Sequence, residues 1–146
     1  MQRFEGCLRR QAAHLDQPID DLALTTPLKG AIGATHDRFR RLDGAFDRSL
    51  AAIRLLHARG VKVGMRYTMT AMNAHDLEPL LELMRHEGVD KFYFSHLNYA
   101  GRGNIHRARD AQFAATRDAL DLLCQRAWEA ALAGSTQDFV TGNNDA

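Results

Sequence analysis

Two short polar stretches contain the residues of this sequence that could bind an anion or support chemistry. The first runs from residue 66 to 73 and the second from 95 to 104, and each begins at the end of an alternating apolar segment. In parallel α/β sheets, ligands bind beyond the carboxyl ends of the strands, because the loops there are free to vary. Both stretches are therefore candidate ligand-binding segments.

Two arginines in these stretches are suited to carboxylate or phosphate groups. Arg66 falls on the polar side of its segment, and Arg102 lies between two glycines in Gly101-Arg102-Gly103. A guanidinium offers planar donors to an anion, and glycine lets the backbone approach a ligand closely. The alternative interpretations are an ion pair for Arg66 and an ordinary glycine turn around Arg102.

Other kinds of site receive weaker support from the sequence. The glycines around Arg102 have neither the dinucleotide-fingerprint spacing nor the lysine of a P-loop. The seven histidines lack the short spacings of metal sites, and His96 at a strand end is more typical of a structural residue than of a base. The basic run at 36–41 includes Asp37, so we interpret it as a solvated loop and not as a nucleic-acid surface.

The apolar pattern predicts the elements that must position these residues. We predict helices over 46–59, 76–86 and from 112 to about 133, with strands over 61–70 and 91–97. Strands that alternate with helices at this spacing are typically parallel and joined by right-handed crossovers.

The strand over 61–70 contains two interleaved sets of side chains. The set expected to face the covering helices is Val61, Val63, Met65, Tyr67 and Met69. The set expected to face a barrel lumen or a crevice is Lys62, Gly64, Arg66, Thr68 and Thr70.

The flanking segments have weaker patterns. Residues 1–29 contain scattered apolar residues, for which we expect a short helix over 4–15 and no strand that starts a sheet. Residues 30–44 are rich in turn residues and arginine and are predicted to form a loop. Residues 134–146 end in a turn-forming run.

Composition indicates one soluble globular domain. The 19 basic and 18 acidic side chains leave a net charge of +1, so no overall field favours nucleic acid or a membrane surface. No apolar run approaches the roughly 20 residues that span a bilayer. Cys7 and Cys124 lie too far apart to suggest a ligand pair, and we expect a reducing, cytoplasmic setting.

Several runs of the sequence resemble one known family. They are THDRFR at 35–40, DGAFD at 43–47, VGMRYTMT at 63–70, NAHDL at 73–77, DKFYFSHLNYAGRGN at 90–104 and DFVTGNNDA at 138–146. These runs look like radical S-adenosylmethionine enzymes, in particular those of haem d1 biosynthesis. The resemblance covers roughly residues 32–146.

The resemblance implies an α/β fold, namely an incomplete, partial (β/α) barrel of parallel strands with covering helices. Residues 30–146 would form the C-terminal half of the barrel, after a poorly defined segment over 1–29. It further implies S-adenosylmethionine bound on an iron–sulfur cluster. The implied substrate is a tetrapyrrole, didecarboxysirohaem, from which propionate side chains are removed.

Position by position, the resemblance also implies roles for individual residues. The positions expected to line the lumen near S-adenosylmethionine are Arg66, Thr68, Ser95 and Leu97. The positions expected to contact propionates are Asn98 and Arg102. No residue is assigned to catalysis or to metal ligation.

The sequence departs from the family in several respects, including residues 1–29, which match no part of it. It lacks the C-x-x-x-C-x-x-C motif that holds the cluster, and the family's Ser-Ile-Asp-Gly is represented only by KGAIG at 29–33. We therefore expect a truncated gene product that is inactive alone. One alternative is a non-catalytic module that completes a barrel with a partner chain or self-associates through an exposed sheet edge. Another is a small α/β anion-binding protein that uses Arg66 and Arg102.

Overall fold

The computed structural model describes residues 23–96, 110–111 and 113–142. The strands of this part are β1 (Ala23–Pro27), β2 (Lys62–Thr68), β3 (Lys91–Ser95) and β4 (Asp138–Thr141). Its α-helices are α1 (Gly33–Arg40), α2 (Ala45–His57), α3 (Leu77–His86) and α4 (Phe113–Leu132), and a 3-10 turn over Ala74–Asp76 leads into α3.

The four strands form one parallel sheet in the order β1-β2-β3-β4. The register places Pro27 opposite Arg66 and Thr68 opposite Ser95. All four carboxyl ends therefore lie at the same edge of the sheet. The predicted α/β class, with parallel strands and covering helices, is confirmed.

One hydrophobic core lies between the sheet and the helices. The apolar set predicted for β2 and its flanks is buried, with Met65 and Tyr67 fully inaccessible, and Phe92 and Phe94 of β3 lie beside them. The helices contribute the stripes Leu50, Ile53 and Leu56 of α2, Leu77, Leu80, Leu81 and Met84 of α3, and Ala119 and Leu123 of α4. Burial of each large apolar side chain stabilises the fold by roughly 1.5–3 kcal/mol, so this core holds the helices against the sheet.

The connections from helix to strand are short because glycine ends the helices. Gly60 follows α2 and Gly88 follows α3, with φ of 72° and 66°. This left-handed conformation favours glycine, since it crowds the Cβ of other residues. The chain then turns directly into β2 and β3.

Two expectations for the weaker segments are wrong, and one strand is unanticipated. The part of the chain before residue 29 contains a strand, β1, which pairs through its backbone with β2. Helix α1 lies inside the predicted loop over 30–44. Strand β4 lies in the predicted tail and packs the ring of Phe139 6.4 Å from that of Phe92.

Several predicted features lie outside the described residues. They are the helix over 4–15, Cys7, and the site residues Leu97, Asn98 and Arg102. Within the described ranges, no helix has the length and apolar character needed to cross a lipid bilayer.

Candidate functional site

Three hydrogen-bonded polar side chains cross the carboxyl ends of β1, β2 and β3, and we call them the polar row. Lys29 Nζ donates to Thr68 Oγ1 over 2.9 Å, and Thr68 Oγ1 lies 3.1 Å from Ser95 Oγ. Thr68 and Ser95 are register partners on neighbouring strands, and Lys29 lies just after β1. The structure thus brings together two of the predicted site residues and adds a lysine.

Lys29 is partly buried and forms no ion pair with an acid within the described part of the chain. Its ammonium contacts the Thr68 hydroxyl and lies 5.8 Å from the ring centroid of Phe39. Burial, followed by the charges of Arg40 and Arg66, lowers the pKa of Lys29 to about 8. Sequence patterns cannot identify this residue, because its position depends on β1, which has no recognisable periodic signal.

Arg66 lies on the same side of β2 as Thr68, as the alternation predicts. Its guanidinium carbon is 5.8 Å from the ring centroid of Tyr93, and Lys91 Nζ is 5.6 Å from that centroid. Arg66 Nε is buried without a hydrogen-bond partner among the described residues. No acid in these ranges forms an ion pair with Arg66, so the ion-pair interpretation has no support there.

Asn73 ties the ends of β1 and β2 together beneath the polar row. The fully buried side chain donates through Nδ2 to the carbonyl oxygens of Lys29 at 3.0 Å and Thr68 at 3.1 Å. Its Oδ1 accepts from the Thr70 amide at 2.7 Å and the Thr70 hydroxyl at 2.9 Å. The Tyr67 hydroxyl donates to the Asn73 carbonyl. All polar atoms of the amide are therefore satisfied, and two members of the row are held in place.

His36 supports the same corner from α1. It is fully buried, and its Nδ1 accepts a hydrogen bond from the Lys29 amide at 3.1 Å. Burial, together with the charge of Arg40, lowers the pKa of His36, which keeps Nδ1 free of a proton. The interpretation of 36–41 as a solvated loop is therefore wrong at this residue.

Asp37 of α1 caps the N-terminus of α2. Its carboxylate accepts from the backbone amides of Gly44 at 2.6 Å and Phe46 at 2.8 Å, at the start of α2. These bonds satisfy amides that would otherwise be unpaired at a helix N-terminus. Asp37 is thus the link that joins α1 to α2.

His96, predicted to be a structural residue, lies just after β3. The ring is half-buried and lies edge-on against Phe94, with centroids 5.3 Å apart and an interplanar angle of 84°. This packing is what a structural histidine at a strand end would show.

The described residues do not fit an iron–sulfur cluster. No group of three His, Cys, Asp or Glu side chains in these ranges is arranged to hold a metal, and Cys124 stands exposed on α4. A cluster of this kind needs several thiolates.

Comparison with known proteins shows where related sequences occur. No family model matches the chain. It is 54% identical over 116 residues to pre-heme d1 synthase of Dinoroseobacter shibae, a match that covers 79% of this chain and 29% of that protein. It is 33% identical over 113 residues to Fe-coproporphyrin III synthase of Methanosarcina barkeri, covering 77% of this chain and 28% of the relative.

A solved structure shares the fold. The crystal structure of Streptococcus suis SuiB bound to the precursor peptide SuiA matches with a TM-score of 0.66 and 11% identity, over 90% of this chain and 30% of SuiB. The chain spans under a third of each of these proteins. The suspected resemblance is confirmed over the matched part of the chain, which is similar to these haem-biosynthesis proteins.

Proposed function

We propose that this chain forms the ligand-facing wall of a radical S-adenosylmethionine haem synthase whose substrate is a tetrapyrrole with propionate groups. The observation that carries the proposal is the 54% identity to pre-heme d1 synthase over 116 residues. The corresponding reaction is the removal of propionate side chains from didecarboxysirohaem on the way to haem d1.

The charges at the strand ends suit this substrate class. Lys29 and Arg66 are cations without acidic partners among the described residues, and Arg66 Nε is a buried, unpaired donor. Carboxylates would satisfy both, because charge-assisted hydrogen bonds are about twice as strong as neutral ones. In this proposal Asn98 and Arg102 also contact propionates.

The same surface fits the polar groups of S-adenosylmethionine. Arg66 offers donors to a carboxylate, and Thr68 and Ser95 offer hydroxyl groups that can pair with a ribose or an amino group. Leu97 would complete this wall. When bound, S-adenosylmethionine supplies the radical chemistry of the family.

We further propose that the chain alone does not cleave S-adenosylmethionine, because its residues do not provide a cluster site. After anaerobic reconstitution with iron and sulfide, we expect no cluster absorbance and no release of 5'-deoxyadenosine. A ligated cluster together with S-adenosylmethionine cleavage would contradict this statement.

A chimera tests the role of the wall directly. Residues 23–142 would replace the matching part of the Dinoroseobacter shibae relative, and product formation would be measured under reducing, anaerobic conditions. We expect an active chimera that loses at least about tenfold in activity when Thr68→Val and Ser95→Ala are combined. Lys91→Gln is the matched control, since Lys91 already pairs with Asp138 at 3.4 Å. A folded chimera with no activity would count against the proposal.

A second candidate function is a non-catalytic module that completes a barrel with another chain. It is favoured by the sheet edges, because within the described strands β1 pairs only with β2, and β4 only with β3. Unpaired edges bind further strands readily. Light scattering after size-exclusion chromatography, at increasing protein concentration, should then show self-association. A monomer at all concentrations would remove this candidate in its self-associating form.

A further inference from the structure

We propose that Lys29 is a carboxylate-binding residue, whose ammonium takes an anionic oxygen of the ligand at the β1 end of the polar row. The inference rests on the proposed function for the identity of the ligand. It goes beyond that function because the resemblance assigns no role to Lys29, which stands within a run where this sequence departs from the family.

The hydrogen bonds of the polar row leave its free donors at Lys29. An ammonium only donates, so Thr68 Oγ1 accepts a hydrogen bond from Lys29. The Thr68 hydroxyl can in turn donate a hydrogen bond to Ser95 Oγ, 3.1 Å away. Ser95 Oγ in turn lies 3.4 Å from the carbonyl oxygen of Tyr67, which can only accept. Lys29 has three N–H groups and one described hydrogen-bond acceptor, so it keeps free donors for an anion whichever way the two hydroxyl groups are oriented.

The charges around Lys29 also favour an anionic ligand. The charged groups that act on it are Arg40 from α1 and Arg66 from β2, and no acid forms an ion pair with Lys29 within the described residues. A partly buried ammonium among cations is unfavourable, which agrees with its lowered pKa of about 8. A bound carboxylate would relieve both the burial cost and the repulsion.

Lys91 provides the contrast within the same sheet. It lies at the start of β3, away from the carboxyl ends, and its ammonium is 3.4 Å from the Asp138 carboxylate. Removing either lysine changes the net charge equally. Only the removal of Lys29 should affect a ligand bound at the strand ends.

The ligand class is a carboxylate, which two sources can supply. One is a propionate of a tetrapyrrole, and the other is the amino-acid carboxylate of S-adenosylmethionine. The probes are therefore sodium propionate, coproporphyrin III and S-adenosylmethionine, each tested separately.

The chain is well suited to a direct measurement, because it has three lysines, at positions 29, 62 and 91. In the full chain labelled with ¹³C-lysine, nuclear magnetic resonance should show three sets of Cε signals, assigned with Lys29→Gln, Lys62→Gln and Lys91→Gln. Titration with base, with and without propionate, follows the pKa of each lysine separately. We expect propionate to raise the pKa of Lys29 and to leave the other two unchanged.

Calorimetric titration of the variants completes the test. Lys29→Gln should weaken the binding of coproporphyrin III, S-adenosylmethionine or both by about tenfold or more, and Lys91→Gln should leave binding unchanged. The probe that is weakened identifies the source of the carboxylate.

The outcomes separate this inference from the proposed function. If neither large ligand binds but propionate still acts on Lys29, the proposed function fails and the carboxylate site stands. If the large ligands bind the wild type and Lys29→Gln equally well, the carboxylate site is overturned and the proposed function stands. If propionate does not shift the pKa of Lys29 in the wild-type chain, the carboxylate site is also overturned. This result does not depend on whether the variants fold.

Discussion

At the scale of single residues, the candidate site combines positions that sequence patterns can identify with positions that they cannot. Arg66, Thr68 and Ser95 could be predicted, because alternation along a strand decides which side chains share a face. Lys29 and Asn73 could not be assigned their contacts, because these depend on how β1 and β2 pair. Some residues of the candidate site can therefore be predicted from the local sequence pattern, whereas others depend on how the strands pair.

Asn73 carries a prediction for stability. Asn73→Ala leaves the carbonyl oxygens of Lys29 and Thr68, and both donors of Thr70, without their side-chain partner. We expect a loss of about 3 kcal/mol in the free energy of unfolding, measured with urea and far-ultraviolet circular dichroism. Gln125→Ala is the control, since this exposed amide bonds only to Glu129 on the same helix, and it should cost less than about 0.5 kcal/mol. Equal losses for the two variants would contradict the role of Asn73.

Lys29 carries a prediction for pH dependence. Its pKa in the folded chain is about 8, below the ordinary value of 10.5, so the unfolded state binds more protons between these values. The stability penalty of the charged ammonium is complete below about pH 8 and disappears as the pH rises towards 10.5. Burial is the main cause of the lowered pKa, followed by the charges of Arg40 and Arg66.

Lys29→Met should therefore be more stable than the wild type at neutral pH. We expect a gain on the order of 1 kcal/mol, less than the pKa shift alone implies, because Lys29 is only partly buried and the variant loses the bond to Thr68. Urea unfolding across this pH range should show the gain vanish above the ordinary lysine pKa. Lys91→Met, which removes a paired lysine, should show no such pH-dependent gain, and a destabilised Lys29→Met at neutral pH would refute the account.

At the scale of elements, the periodic helices and strands were predictable and the edge elements were not. Helices α2 and α3 and strands β2 and β3 bury regular apolar stripes, and such stripes are visible in a sequence. Strand β1 is held by backbone pairing with β2, which leaves no periodic trace. Helix α1 is connected to its neighbours through His36, which accepts from the Lys29 amide, and Asp37, which caps α2.

The two glycines that end α2 and α3 give a matched prediction. Both have a left-handed backbone, but a Cβ at Gly60 would meet no atom within 4 Å, whereas one at Gly88 would lie 2.7 Å from His57 Cε1. Gly60→Ala should cost about 1 kcal/mol from backbone strain alone. Gly88→Ala should cost more, because the ring of His57 must also move.

A double-mutant cycle isolates that contact. Adding His57→Ala to Gly88→Ala should recover the excess loss and leave a cost similar to that of Gly60→Ala. The measurement is the free energy of unfolding in urea for each variant. If His57→Ala recovers nothing, the contact between the end of α2 and the glycine after α3 does not determine the cost.

At the scale of the whole molecule, the described part has two dissimilar sides. Helices α2, α3 and α4 pack against one face of the sheet and form the core, while the polar row and Arg66 belong to the other face and its carboxyl edge. The outer side of α4 exposes large apolar residues, including Trp128 at 67% and Leu132 at 71%. A tetrapyrrole has a flat, apolar ring as well as propionate groups, so each side of the molecule offers it a surface, and only one of them is the proposed site.

The most direct test of the central claim is to map where a tetrapyrrole binds. Coproporphyrin III, free of metal, would be titrated into ¹⁵N-labelled protein, and changes in the backbone amide signals would be followed by nuclear magnetic resonance. The account predicts saturable changes at Lys29, Thr68 and Ser95, and none around Trp128. Changes confined to the outer side of α4, or no changes at the strand ends at saturating ligand, would contradict the assignment of the polar row as the ligand-binding face.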